Sequence, residues 1–96
     1  MAAISYARRA SSDLIRLIDF LAESDLPSAA ETADLIASAV DVLQHHPLIG
    51  RPVESGRREL IISRGRSGFV ALYRYNEARD EVLVLAIRHQ REAGYV

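Results

Sequence analysis

The hydrophobic pattern changes its period part-way along the chain, and this limits the folds open to it. In the first half apolar residues recur at helical spacing; from Glu59 onward they alternate at every second position. Leu14, Ile18 and Leu21 fall at i, i+4 and i+7, and Leu17 widens the stripe. Arg8, Arg9, Ser12, Asp13, Arg16, Asp19 and Glu23 supply the polar faces, and this predicts a first helix over residues 8–23. Ser24-Asp25-Leu26-Pro27-Ser28 interrupts it. Ser28 followed by Glu31 has the spacing of a capping box, with Pro27 as first helical residue the alternative start. Ala33, Ile36, Val40 and Leu43 then share one face of a second helix, which ends near His45-His46, before Pro47. Histidines in a last turn suit the helix C-terminal dipole. Two helices joined by so short a loop form an antiparallel hairpin.

The second half reads as strands. Pro47 to Gly56 is a loop punctuated by two prolines and two glycines. Strands follow over 59–63, 69–75 and 81–89, separated by the turns 64–68 and 76–80. Connections this short imply an antiparallel meander. The predicted class is therefore α+β: an N-terminal antiparallel helix hairpin packed on one face of a small antiparallel sheet. Ala3-Ile4-Ser5-Tyr6 is available as a short additional strand. Ninety-six residues fit one domain, 1–96, with one modest core.

Charge sharpens the division. The 12 basic residues are all arginine and meet 13 acids, so the net charge is −1. That excludes a uniformly basic nucleic-acid binder. Residues 1–47 hold three arginines and seven acids, while residues 48–96 hold nine arginines and six acids. A polarised surface suggests a partner that meets the basic side. The chain has no cysteine, which excludes disulfides and thiolate metal sites and fits a reducing cytoplasm. No apolar run approaches the roughly 18 residues that span a bilayer, and the first ten residues lack a signal-peptide pattern.

The alternation also assigns faces. Leu60, Ile62, Phe69, Ala71, Tyr73, Tyr75, Leu83, Leu85 and Ile87 form one face, toward the helices. Glu59, Ile61, Ser63, Val70, Leu72, Arg74, Val82, Val84, Ala86 and Arg88 form the other. This second face is also largely apolar, and a two-layer chain has nothing left to cover it. A contiguous apolar patch marks an interaction site. The expectation is that a partner covers Ile61, Val70, Leu72, Arg74, Val82 and Val84, with Arg88 and Arg91 at the margin, in a heterocomplex or a homodimer. The alternative is a one-residue slip at a bulge.

Four segments together resemble the RelE/ParE superfamily of bacterial type II toxins. They are His46-Pro47-Leu48-Ile49-Gly50-Arg51-Pro52, Arg58-Glu59-Leu60, Tyr73-Arg74-Tyr75 and the closing strand from Val82 to Arg91. The resemblance covers nearly the whole chain and implies the fold read above. It also implies a cognate antitoxin that wraps the toxin with an extended and helical C-terminal segment. Two activities follow from it. RelE-like members cut mRNA in the ribosomal A site; ParE-like members inhibit DNA gyrase. The ribonuclease chemistry needs a base, cations and an acid. Here there is no lysine, Val70 stands where RelE-like toxins place an arginine, and the second-strand positions read Ile61 and Ser63. The resemblance therefore leans to a non-enzymatic, ParE-like gyrase inhibitor. The RelE-like alternative would use Arg88, His89, Arg91 and Tyr95. A third reading is a non-toxic partner in an autoregulatory complex.

Other groups are weaker candidates. Arg64 and Arg66 flank glycine in a turn that could present N–H groups to phosphate. Arg51, between Gly50 and Pro52, suits a locked loop better than chemistry. Tyr73 and Tyr75 suit core packing better than base stacking. His45 and His46 are adjacent and project about 100° apart on a helix, too far to chelate one metal. No metal site, Gly-rich nucleotide loop or nucleophile triad stands out, so no cofactor is expected.

Overall fold

A computed structural model describes all residues except Gly65, Arg66, Ala93 and Val96, and only the backbone of Arg64 and Ser67. The elements are β1 (Ala3–Tyr6), α1 (Arg8–Ala22), α2 (Leu26–Asp41), β2 (Arg51–Pro52), β3 (Arg58–Arg64), β4 (Ser67–Asn76) and β5 (Glu81–His89). The five strands form one sheet in the order β1-β5-β4-β3-β2. β3, β4 and β5 make the predicted antiparallel meander, and β2 joins it antiparallel. The opening strand β1 pairs in parallel with β5, so the sheet is mixed rather than purely antiparallel.

Local chemistry sets the helix boundaries. Ala7 caps α1 without a side-chain bond, but its N–H donates to the Val84 carbonyl at 2.8 Å, which fastens the β1–α1 junction to β5. α2 starts three residues earlier than the capping-box reading. Asp25 is its N-cap, and its Oδ1 accepts from Ser28 N–H at 3.1 Å. Pro27 is tolerated in the first turn because its missing N–H would be unpaired there anyway. A 3₁₀ turn, Val42–Gln44, ends the hairpin ahead of His45 and His46.

The core lies between the hairpin and one face of the sheet. Leu17, Ile36, Val40 and Leu43 meet Ile62, Phe69, Ala71, Tyr73, Val82, Val84 and Ile87. The buried line of α1 is Ala10, Asp13 and Leu17, with Leu14 and Leu21 only partly buried beside it. It is rotated from the predicted stripe because a charged residue, Asp13, faces inward. β1 accompanies β5 only as far as Val84. Beyond that point the Ile87 N–H has lost its strand neighbour, and the Asp13 carboxylate accepts it at 2.9 Å.

Two predicted faces need correction. Leu72 lies opposite Ala86, but Tyr73 lies opposite Val84, so Leu85 is an extra residue in β5. Below this bulge the parity of β5 reverses. Val82 and Val84 turn into the core, 1% and 0% exposed, and Leu83 takes the outer face at 39%. The expected partner contacts at Val82 and Val84 are therefore core contacts. The segment 47–56 is also not wholly a loop. It holds β2, hidden from the sequence reading by Pro52, and a 3₁₀ turn at Glu54–Gly56.

Candidate functional site

Of the predicted catalytic and partner residues, Ile61, Val70, Leu72, Arg74, Arg88 and Tyr95 belong to the outer face of the sheet, while His89 and Arg91 lie at the end of β5 toward the helices. The cross-strand rows are Glu59–Leu72–Ala86 and Ile61–Val70–Arg88. The Tyr95 hydroxyl donates to Glu59 Oε2 at 2.7 Å. The Arg88 guanidinium lies 5.2 Å from the centre of the Tyr95 ring. Arg88 is on β5 and Glu59 on β3, so Tyr95 spans β4, whose outward residues in these rows are Val70 and Leu72. Both are buried, at 2% and 6%. The chain thus covers part of the face that was expected to await a partner. Ile61 and Arg74 remain exposed on it.

Electrostatics tie this cluster together. Glu59 is buried, and desolvation alone would raise its pKa. Hydrogen bonds from Tyr95 and Arg51, and the charges of Arg51 and Arg88, outweigh that and hold the carboxyl below its ordinary value. Arg51 Nη2 approaches Glu59 Oε1 at 2.7 Å. Burial, followed by the Glu59 carboxylate, pushes the Tyr95 phenol well above its ordinary value, against the opposing pull of Arg88. Arg88 Nη1 donates to the carbonyls of His89, Gln90 and Glu92 at 3.1–3.4 Å. Its Nε is buried with no acceptor among the described residues.

On the other side of β5, His89 packs edge-on against Phe69, with ring centres 5.3 Å apart. Its Nδ1 accepts from the Arg91 N–H at 3.0 Å, which leaves that nitrogen engaged. Glu92 accepts from the His89 N–H and pairs with Arg16 of α1 at 3.3 Å. His89, Arg91 and Glu92 border a groove of about 620 Å³ that Arg16, Leu17, Phe20, Leu21 and Phe69 also line. His89 therefore belongs to the helix side of the sheet, and Tyr95 to the opposite side. The four candidate catalytic residues do not converge on one point.

The loop before β2 is held by the sheet. The Tyr73 hydroxyl accepts from Gly50 N–H at 2.9 Å and donates to the Pro47 carbonyl at 2.8 Å. Arg58 donates to the carbonyls of Leu48 and Gly50. A side chain at position 50 would sit 2.6 Å from the Tyr73 ring, so glycine is required by close approach. Tyr73 is fully buried, as a core aromatic should be. Tyr75 bonds Asp80 at 2.7 Å. The phosphate-cradle reading of the Arg64–Arg66 turn lies outside the described residues. Among the described residues no group of three or more histidines, cysteines or acids is placed to hold a metal, and no helix is long and apolar enough to cross a membrane. The role of Asp13 escaped the sequence reading, which placed it on a polar helix face; Glu59 was placed on the outer face, without its bonds to Arg51 and Tyr95.

Comparison with known proteins decides the family. The family model for the ParE toxin of the type II toxin–antitoxin system parDE matches residues 4–94. The chain belongs to this toxin family. Toxin RelE3 of Caulobacter vibrioides is 38% identical over 93 residues, covering 96% of this chain and 98% of that protein. Toxin RelE1 of the same organism is 41% identical over 66 residues, covering 69% of this chain and 71% of that protein. The chromosomal ParDE system of P. aeruginosa contains a chain of the same fold, with TM-score 0.73, 28% identity, and coverage of 91% of this chain and 94% of that one. The E. coli RelBE complex gives TM-score 0.67 over 91% and 94% of the two chains at 11% identity, a likeness of fold. The toxin is thus a type II toxin of the RelE/ParE superfamily. The ParDE and RelBE neighbours come from toxin–antitoxin systems.

Proposed function

We propose that this toxin acts in the cytoplasm by binding DNA gyrase, without chemistry of its own, and that a cognate antitoxin neutralises it. The observation that carries this reading is the engagement of the polar cluster. Glu59 is held by Arg51 and Tyr95, and Arg88 turns its Nη1 onto its own chain's carbonyls. Cleavage of RNA needs a base, an acid and cations aimed at one phosphorus. Here His89 and Tyr95 lie on opposite faces of the sheet. A phenol raised by burial beside a carboxylate is also a poor acid near neutrality. The positions flanking the cluster, Ile61, Ser63 and Val70, add no cation. The match to the ParE family model supports the same side of the superfamily.

The names of the Caulobacter relatives favour a second reading, a ribosome-dependent mRNA endonuclease using Arg88, His89, Arg91 and Tyr95. One experiment separates the two. Purified toxin is added to a gyrase supercoiling assay and to a translation extract with mapped mRNA ends. Blocked supercoiling with intact mRNA is the expected result. A-site cleavage with unaffected gyrase would overturn it.

A further inference from the structure

The loop before β2 shows its apolar side chains to solvent while its backbone is held in place. Leu48 is 60% exposed and Ile49 58%. Apolar residues scattered singly over a surface are ordinary. Here two are adjacent, and the loop is not free to turn them inward. The Pro47 carbonyl accepts from the Tyr73 hydroxyl, and the Leu48 and Gly50 carbonyls accept from Arg58, at 2.8–3.0 Å. The Gly50 N–H donates to Tyr73, and the Ile49 N–H donates to the His46 carbonyl at 3.1 Å. A contact surface already held in one conformation loses little freedom on association. Beside it lies a groove of about 430 Å³, lined by His46, Pro47, Leu48 and Ile49 of the loop and by Tyr75 and Glu77 near the end of β4.

The nearby charges are accounted for except one. Arg58 turns its Nη1 onto the loop carbonyls. Asp80 is engaged by the Tyr75 hydroxyl and by the N-terminal ammonium. Arg79 pairs with Glu81. Glu77 is exposed and enters no ion pair among the described residues. With histidine neutral, it carries the one charge among the described residues that line the groove. We infer that this loop and groove are the contact with the toxin's target protein, and that they receive a lysine or arginine of that protein. Its aliphatic stem lies on Leu48 and Ile49, and its cationic head meets Glu77. The inference rests on the gyrase half of the proposed function and is independent of the antitoxin. Charge disfavours other occupants. An isologous contact with a second copy would bring Glu77 toward its own counterpart. The same carboxylate repels a phosphate backbone.

The test is inhibition of gyrase supercoiling by the purified toxin, with antitoxin affinity measured in parallel by titration calorimetry. Leu48→Ser combined with Ile49→Ser removes the apolar contact and keeps the backbone bonds to Tyr73 and Arg58. Its half-inhibitory concentration should rise by about tenfold or more, the loss of one strong contact. Glu77→Gln, at an exposed position, should raise it about threefold. Thermal melting and antitoxin affinity should stay unchanged in both. Unchanged inhibition by both variants would overturn the inference while the gyrase reading stands. A loss confined to the serine variant would overturn the basic occupant. Loss of antitoxin binding together with inhibition would assign the loop to the antitoxin and also overturn the inference. Native toxin that leaves supercoiling untouched would overturn both readings.

Discussion

The Tyr95 hydroxyl donates to Glu59 Oε2 across the outer face of the sheet, at 2.7 Å and 36 residues apart in sequence. This bond ties the C-terminal segment to β3 over the apolar residues of β4. Tyr95→Phe keeps the ring and loses the bond. Stability should fall by about 1.5–3 kcal/mol, the range for a hydrogen bond to a charged group. Urea unfolding of the two proteins measures it; a change within 0.5 kcal/mol, about the scatter of a neutral surface substitution, would show the contact to be incidental.

The same pair makes stability depend on pH at both ends. The folded Glu59 pKa is depressed below its ordinary 4.5. Its contribution is present above that value and is lost as pH falls through the folded pKa. The Tyr95 pKa is raised above its ordinary 10.0. Its contribution is complete below that value and declines as pH rises toward the folded pKa. The stability gap between the native toxin and Glu59→Gln should therefore narrow in acid. The gap to Tyr95→Phe should narrow in strong alkali. Unfolding curves from acid to alkaline pH would reveal gaps that stay constant if the pair is not coupled.

Asp13 serves one backbone group, the Ile87 N–H. Asp13→Ala leaves that donor buried without its acceptor and should cost about 1–3 kcal/mol. Exchange of the Ile87 amide should also accelerate. A stable variant with unchanged Ile87 exchange would refute the assignment.

The bulge at Leu85 predicts opposite tolerance at adjacent residues. Val84→Ala opens a cavity in the core and should cost about 2 kcal/mol or more. Leu83→Ala removes a partly exposed side chain and should cost under about 1 kcal/mol. Thermal melts of both variants check the parity. The reverse ranking would restore the uninterrupted alternation.

Gly50→Ala drives a methyl group against Tyr73 and the Glu59 carbonyl. Overpacking of this kind costs about 1–3 kcal/mol. The loss should appear together with a shifted Tyr73 ring resonance in NMR spectra, because the Gly50–Tyr73–Pro47 bonds move as one.

What the sequence revealed follows from which forces are periodic. The helix hairpin and the meander were legible, since each buries residues at its own fixed interval; the short first strand, largely exposed, was legible only as four strand-like residues. β5 defeated the same logic at Leu85. Both parities of Val82-Leu83-Val84-Leu85-Ala86-Ile87 are apolar, so the pattern carries no information about where the parity reverses. β2 was hidden because two residues ending in proline have no period. At the site, the arginines and aromatics could be named individually. Their partners could not, because Tyr95 with Glu59 and Asp13 with Ile87 are contacts across 36 and 74 positions. Asp13 looked like one more member of a polar helix face until the end of β1 exposed the backbone group it serves.

The parallel pairing of β1 with β5 has a consequence for how the toxin is made. Ala3–Tyr6 is synthesised ahead of both helices, yet its partners Glu81–Val84 come after the rest of the sheet. The loop between them must close before the contact yields any stability, a costly step for a pairing so distant along the chain. A nascent chain halted anywhere before β5 holds the helix hairpin and an unfinished sheet whose core lacks Val82, Val84 and Ile87. The toxin therefore comes into being late in its own translation, and a truncated message yields a misassembled chain rather than a weaker poison.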